Sequence, residues 1–389
     1  MVGGAVRNAL LGAAVRDIDF ATTAPPEIVE GRAGAAGFKV VRTGFEHGTV
    51  TLVFAGKGYE VTTLRVDVET DGRRAVVRFG RDWDADARRR DFTVNSLSVD
   101  AAGTVHDPVG GYEDILRRRV RFIGDAAERI AEDRLRILRF FRFHAEYALD
   151  ELDPAGLSAV IRGRDGLRAL SAERVGQEMR KIVLGARAGE TLASMQDCGI
   201  LPIVFGGVGY LGPFARLVAL EKTPAPPSDA TATTTFGVAL RLAAIGCRIE
   251  EDALRLAERL RLSNTERDRA LNALAAARRF SPLPEMRQLR RLLYRQGVEG
   301  YRDAVSLAFA WTGHATDDPS WQDAFGLPTV WQVPRFPLGG RDIVGAGTAR
   351  GPAVGALLEA LEAWWVERDF APDEAALRSR LQQMIAGEQ

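Results

Sequence analysis

Cysteine and histidine are scarce: Cys198 and Cys247 are the two cysteines, and His47, His106, His144 and His314 the four histidines, in 389 residues. Two cysteines exclude a disulfide framework or a cysteine-based zinc site and suit a reducing compartment. No HExxH motif occurs, and the His106-Asp107 pair has no second histidine close in sequence, so hydrolysis at a histidine-held metal has no ligand set. Long apolar runs are also missing. The longest uncharged stretch, Cys198–Ala215, contains Pro202, Pro213 and five glycines, which makes a poor membrane helix. Arg7 and Arg16 interrupt the first residues before the apolar core of a signal peptide can form. The expectation is a soluble, cytoplasmic protein with no membrane partner; its oligomeric state is not readable.

Lysine is nearly absent as well. Only Lys39, Lys57, Lys181 and Lys222 are lysines among 52 basic side chains. Arginine suits bidentate contacts with phosphates and base edges, although a GC-rich coding bias produces the same ratio. The 52 acidic residues cancel the 52 basic ones, and bulk charge gives no hint of a polyanionic partner. Local charge says more: residues 201–300 carry 15 basic and 10 acidic side chains, residues 301–389 carry 7 and 12. The basic excess reads either as solvated helix faces or as a track for a polyanion.

The length allows two or three domains at roughly 150 residues each. In the first hundred residues, Thr49–Phe54 and Glu60–Leu64 are rich in Val and Thr, and Phe92–Val99 alternates as a strand would. From Ala126 the period becomes helical, with Ile130, Leu135, Leu138, Phe141 and Phe143 marking the apolar positions, and it stays helical through Ala172–Leu184. Thr223–Thr235, rich in Pro and Thr, reads as an exposed loop. Leu254–Leu262 and Leu289–Leu293 read as core-facing helices with arginines outward.

Four short blocks carry polar residues in patterns that suit chemistry. Gly3-Gly4 before a helical run allows a close turn whose free N–H groups can cradle phosphate, with Arg7 one turn on; a plain strand-to-helix turn has the same look. Asp17 and Asp19 flank Ile18. On a strand they would share a face, and two carboxylates so close call for a cation such as Mg²⁺; an exposed turn is the other reading. Arg88-Arg89-Arg90-Asp91-Phe92-Thr93-Val94-Asn95 is either a basic patch or an ordered polar cluster, and Asp107–Gly111 follows as a turn. In Glu132–Phe143, Asp133 and Arg136 are spaced as neighbours on a helix, with Arg139 and Arg142 continuing the stripe; an ordinary ion pair with solvated arginines is the bland alternative.

Together the blocks GGAVRN…DID, RRDFTVN, DPVGGYEDI and EDRLRILRFFRF, with SAERV at Ser171–Val175, resemble the class II tRNA nucleotidyltransferases, that is, the CCA-adding enzymes and bacterial poly(A) polymerases. The match spans about Val2–Leu184, and Leu338–Leu358 is similar to the family's C-terminal region with less specificity. The resemblance implies an α+β chain: a polymerase-beta-like head with a five-stranded mixed sheet at 1–117, then an all-helical neck at 118–190, body at 191–300 and tail at 301–389, the tail touching tRNA. It further implies that Asp17 and Asp19 hold Mg²⁺, Gly4 and Arg7 contact the triphosphate, and Arg90 holds nucleotide. Asp133 and Arg136 would read the incoming base beside Arg139 and Arg142, and Glu60 is expected as a third carboxylate at the metals. Asn8 stands where the family most often has Asp. The strand that the family places ahead of the Gly-Gly turn would lie before Val2, where this sequence has only Met1. The few histidines argue against the HD phosphohydrolase domain of some relatives.

Hydrogen-bond patterns make that assignment chemically coherent. Cytosine and adenine each present a ring-nitrogen acceptor beside an amino donor; guanine and uracil reverse the order. One acid and one arginine therefore accept CTP and ATP and leave GTP or UTP with donors facing donors, a costly mismatch in a dry site. The expected activity is addition of C and A to the tRNA 3′ end by two-metal phosphoryl transfer. Partial CC or A addition, poly(A) synthesis, and a non-catalytic RNA-binding protein are the alternatives.

Overall fold

Residues 1–15, 17–70, 75–221, 236–347 and 350–387 are described in the computed structural model; Thr223–Thr235, expected as a loop, lies outside them. The head opens with α1 (Gly4–Leu10), β1 (Asp19–Thr22), α2 (Pro26–Ala35), β2 (Lys39–Gly44), β3 (Thr49–Phe54) and β4 (Lys57–Thr63). Val- and Thr-rich segments pair as such residues do on a pleated surface. β1 runs parallel to β4 with Asp19 opposite Glu60, and β3 pairs antiparallel with both β4 and β2, giving the order β1-β4-β3-β2. Val50 is fully buried between this sheet and α2, and Thr49 and Thr62 share a cross-strand hydrogen bond of 2.9 Å. The main sheet thus has four strands where five were expected. In the fifth position Val2 alone bridges Asp19 on one side and Ser98 on the other.

A separate antiparallel pair, β5 (Arg65–Thr70) and β6 (Ala75–Phe79), leads to α3 (Trp83–Arg88), which Asp82 caps by accepting from the Asp84 and Ala85 amides. The segment Phe92–Val99 is not the strand that its alternation suggested. Thr93–Asn95 forms a 3₁₀ turn, and only β7 (Ser98–Val99) is extended, paired with β8 (Val105–His106). The alternation is in residue type and not in burial: Phe92, Val94 and Leu97 are fully buried, and Thr93, Asn95 and Ser96 between them are buried too, their side chains hydrogen-bonded to Asp114, Asp91 and the Thr93 carbonyl. The turn is clamped by α4 (Gly111–Leu116). Thr93 Oγ1 donates to the buried Asp114 carboxylate at 2.6 Å, Arg119 and Arg121 pair with that same group, and a Cβ on Gly111 would stand 2.1 Å from the Thr93 carbonyl oxygen.

After the head come α5 (Ala126–Glu132), α6 (Arg136–Tyr147), α7 (Pro154–Gly163), α8 (Ala172–Leu184), α9 (Ala188–Asp197) and α10 (Ile200–Phe205), with α10 and most of α9 lying past residue 190, the expected end of the neck. Aromatic packing fixes α6 under the head: Phe92 lies 4.8 Å from Phe122 and 5.2 Å edge-on from Phe143, and Phe122 stacks on Phe140 at 5.4 Å. The described chain divides into two compact units, one of Met1–Gly209 with Arg255–Leu262, the other of Tyr210–Leu254 with Ser263–Gln389. The first therefore takes in the whole expected head and neck.

The remaining helices are α11 (Leu211–Leu220), α12 (Val238–Gly246), α13 (Glu250–Arg259), α14 (Asn264–Ala277), α15 (Met286–Trp311), α16 (Pro319–Val330), α17 (Gly340–Gly345), α18 (Pro352–Glu367) and α19 (Glu374–Ala386). The helices over Leu254–Leu262 and Leu289–Leu293 form with Leu256, Leu260, Leu289 and Leu293 buried. Their arginines are not simply outward, however. Within the first unit Arg259 Nε donates to the Val204 carbonyl at 3.0 Å, satisfying the end of α10, and within the second Arg290 pairs with Asp369 at 2.7 Å. α15 bends at Gly297, whose φ of 68° suits glycine. Around Leu338–Leu358, Leu338, Ile343, Leu361, Trp365, Leu377 and Leu381 pack into one core, against which Tyr294 of α15 rests.

Candidate active site

The polar blocks meet in one cleft of about 590 Å³ within the first unit. Gly3, Gly4, Arg7, Asp19 and Arg90 line it from the head, and Asp133, Arg136, Arg139, Arg142 and Phe143 from the neck. Eight arginines against four carboxylates line the cavity, a surplus of positive charge suited to a polyphosphate.

On the acidic side, Asp19 opens β1 and Asp17 precedes the strand, so the pleat alone does not align the two as expected. They do feel one another. Burial, and next the Asp17 charge, push the Asp19 carboxyl above the usual carboxylate range, with Arg90 opposing. Glu60, paired with Asp19 across the parallel ladder, faces the same side of the sheet. Among the described residues, no three His, Cys, Asp or Glu side chains gather closely enough to hold a metal alone. The donor set nonetheless fits a hard divalent ion: Asp17 and Asp19 supply carboxylate oxygens, and substrate oxygens and water would complete the shell.

Next to the acids, α1 is entered through Gly3, whose φ of 68° favours glycine and whose place beside Arg90 leaves 3.1 Å for a Cβ. Arg7, nearly buried, donates to Asn95 Oδ1. Asn95 in turn donates to Asp91 at 3.1 Å, and Asp91 also accepts from the Phe92 amide at 2.9 Å and from Arg139 Nε at 2.7 Å. Burial alone would raise the Asp91 carboxyl; the Arg139 charge and these hydrogen bonds outweigh it and hold the group below the usual range. The RRDFTVN block is therefore an ordered network. Arg89 and Arg90 both pair with the buried Asp86, at 2.7 and 3.2 Å.

On the neck side the structure changes the expected picture. Asp133 and Arg136 are not one helical face: Asp133 ends α5 in extended backbone, with φ −149° and ψ 109°, and α6 begins at Arg136. The Asp133 side chain accepts from the Leu135 amide at 3.0 Å and its carbonyl from the Arg136 amide at 3.0 Å, the local competition by which aspartate interrupts one helix and starts the next. Asp133 then pairs with Arg174 of α8 at 2.7 Å, while Arg136 pairs with Glu132 at 2.5 Å. Arg142 lies 3.0 Å from Glu178, buried, though not aligned as a hydrogen bond. Glu132, Arg174 and Glu178 were not singled out in the sequence. The spacing of Glu132 to Arg136 could have revealed the first, and SAERV contains the second; Glu178 carried no signal.

A mixed sheet with adjacent acids and a Gly-Gly turn, set against an arginine-lined helical neck, defines a polymerase-beta-like nucleotidyltransferase. Residues 1–121 match the poly A polymerase head domain, and residues 151–209 the probable RNA and SrmB-binding site of polymerase A. A mitochondrial CCA tRNA nucleotidyltransferase 1 of Danio rerio is 33% identical over 401 residues, covering 98% of this chain and 86% of that protein. A CCA-adding enzyme of Limosilactobacillus fermentum is 32% identical, covering 97% and 90%. The crystal structure of Bacillus stearothermophilus CCA-adding enzyme in complex with CTP, 29% identical, superimposes with a TM-score of 0.73 over 99% of this chain and 93% of that one. The chain belongs to the CCA tRNA nucleotidyltransferase family, and divalent-metal dependence comes with that membership. No helix among the described residues is long and apolar enough to cross a membrane.

Proposed function

We infer that this protein adds C and A residues from CTP and ATP to the 3′ end of tRNA, without a nucleic-acid template, releasing pyrophosphate. The observation that carries this reading is the convergence, in one cleft, of Asp19, the RRD network and the Asp133–Arg136 corner.

Asp17 and Asp19 would hold Mg²⁺, which when bound lowers the pKa of the attacking 3′-hydroxyl and offsets charge on the triphosphate. Glu60, opposite Asp19 in the parallel ladder, would serve as a third carboxylate only where a bound ion draws it in, since the three acids do not gather without one. Gly4 and Arg7 would meet the triphosphate, with Arg90, Arg139 and Arg142 on the nucleotide. Asp133 would accept from the exocyclic amine of either base while Arg136 donates to the ring nitrogen. Both have capacity to spare. Asp133 spends one oxygen on Leu135 and the other on Arg174, and a carboxylate accepts about four bonds. Arg136 Nη1 serves Glu132 and the Arg129 carbonyl, which leaves donors among its roughly five. Because Glu132 and Arg174 brace these groups, the recognition edge is preset and a wrong base meets fixed, unpaired donors. The arginines of 201–300 would follow the acceptor stem by phosphate contacts, the 301–389 tail would also touch tRNA, and the compartment would be the cytoplasm.

Purified protein, tRNA lacking its 3′ end and single nucleotides test the reading. Mg²⁺-dependent pyrophosphate release is expected with CTP and not with GTP or UTP; release at equal rates with all four would contradict the base-reading corner.

A further inference from the structure

Three guanidinium groups from two parts of the first unit converge on one benzene ring. The Cζ atoms of Arg7, Arg139 and Arg142 lie 5.3, 5.3 and 4.1 Å from the centroid of Phe143. Arg7 comes from α1 in the head, the other two from α6, and the ring is held edge-on against Phe92. All are within reach of a cation–π interaction, which strengthens when the partners are desolvated. Arg7 and Arg142 are nearly buried.

Three like charges do not gather without compensation. Each arginine has its own polar partner away from the ring: Asn95 for Arg7, Asp91 for Arg139, Glu178 for Arg142. Asp91 and Glu178, with Glu146 on the cleft wall, offset the trio, and the other arginines that line the cavity keep it positive. Arg142 feels this, since burial depresses its pKa and the Arg139 charge pushes the same way against Glu178. The electron-rich ring of Phe143 is what all three arginines share, Arg7 resting also on Tyr147 at 4.9 Å, and leucine at position 143 would supply apolar volume without a quadrupole.

We propose that Phe143 is a positioning residue for nucleotide binding, its ring holding Arg7, Arg139 and Arg142 as one cationic platform for the incoming triphosphate. The proposal rests on the nucleotidyltransferase reading above and adds a residue to it. Phe143 does not read the base, because a phenyl ring offers neither donor nor acceptor to a base edge. It sets affinity for CTP and ATP alike.

Stepwise fluorination of the ring tests this while preserving shape. Phenylalanine, 4-fluoro-, 3,4-difluoro- and 3,4,5-trifluorophenylalanine are placed at position 143 of the full chain, and CTP and ATP affinities are measured by calorimetry alongside KM and kcat with tRNA. Expected is a graded weakening of both nucleotides, reaching about tenfold at trifluoro, with the preference over GTP and UTP unchanged and the melting temperature falling by only a few degrees, since the same contacts also support the fold. A Phe143→Leu variant that folds should lie at or beyond the trifluoro value. Flat affinities across the fluorine series, with the unsubstituted protein binding CTP normally, would overturn the proposal and leave the functional reading standing. Absence of CTP and ATP binding by the unsubstituted protein would instead overturn that reading, and the platform with it.

Discussion

Asparagine in place of aspartate at position 91 changes few atoms and removes one charge at the centre of the cleft network. Asp91 is 8% exposed and accepts from the Phe92 amide, the Asn95 amide and the Arg139 guanidinium, whose nearest approach is 2.5 Å. An asparagine can keep the bonds to one oxygen, but its amide nitrogen would face Arg139, donor against donor. Breaking a buried pair by removing one partner costs roughly 3–5 kcal/mol. The Arg139 side chain is 31% exposed to the cleft, so water relieves part of the loss and the lower end applies, about 3 kcal/mol. For a unit of this size that corresponds to a melting-temperature drop of roughly 6–12 °C. Because the folded Asp91 carboxyl titrates below its ordinary value, its contribution is complete above about pH 4 and is lost as pH falls from there through the folded pKa. The assay is hydrogen exchange of the α6 amides combined with thermal melts of Asp91→Asn and the parent, from pH 7 down to pH 3. The gap should be full at neutral pH and narrow in acid. Equal stability at pH 7, or a gap that ignores pH, would refute the network's charged character.

Asp19→Ala should abolish addition of every nucleotide, whereas Asp133→Ala or Arg136→Ala should retain turnover and lose preference for CTP and ATP; single-nucleotide incorporation assays separate the two patterns. Gly111→Ala should cost more than about 3 kcal/mol, or prevent folding, because a methyl group 2.1 Å from the Thr93 carbonyl oxygen forces backbone apart, and urea unfolding measures it. Affinity for tRNA should fall steeply with added salt if arginines follow the phosphate backbone, and a flat plot of log affinity against log salt would speak against that track.

The proposed site residues were legible in the sequence because chemistry restricts residue types: Gly-Gly, Asp17 and Asp19, the RRD block and the Asp133–Arg136 spacing all stand out there. What they pair with was not. Helical spacing suggested that Asp133 and Arg136 face each other, yet an aspartate that bonds its own downstream amides breaks the helix, and each residue turns to a different partner. Apolar alternation at Phe92–Val99 suggested a strand, but Thr93, Asn95 and Ser96 are buried as well, their hydroxyl and amide groups satisfied by partners that only the folded 3₁₀ turn supplies. Long-range partners such as Glu178 for Arg142 depend on how α8 packs on α6, which no local pattern encodes. The same holds for the Arg259 side chain, spent on the carbonyls at the end of α10.

Product length separates CCA addition from its alternatives. With tRNA ending at the position before its CCA, and CTP and ATP both present with Mg²⁺, sequencing gels should show growth by three nucleotides, C, C and A in that order, and then a stop. Arrest after two C residues, addition of A only to ends already bearing CC, or an unlimited run of A would contradict the account.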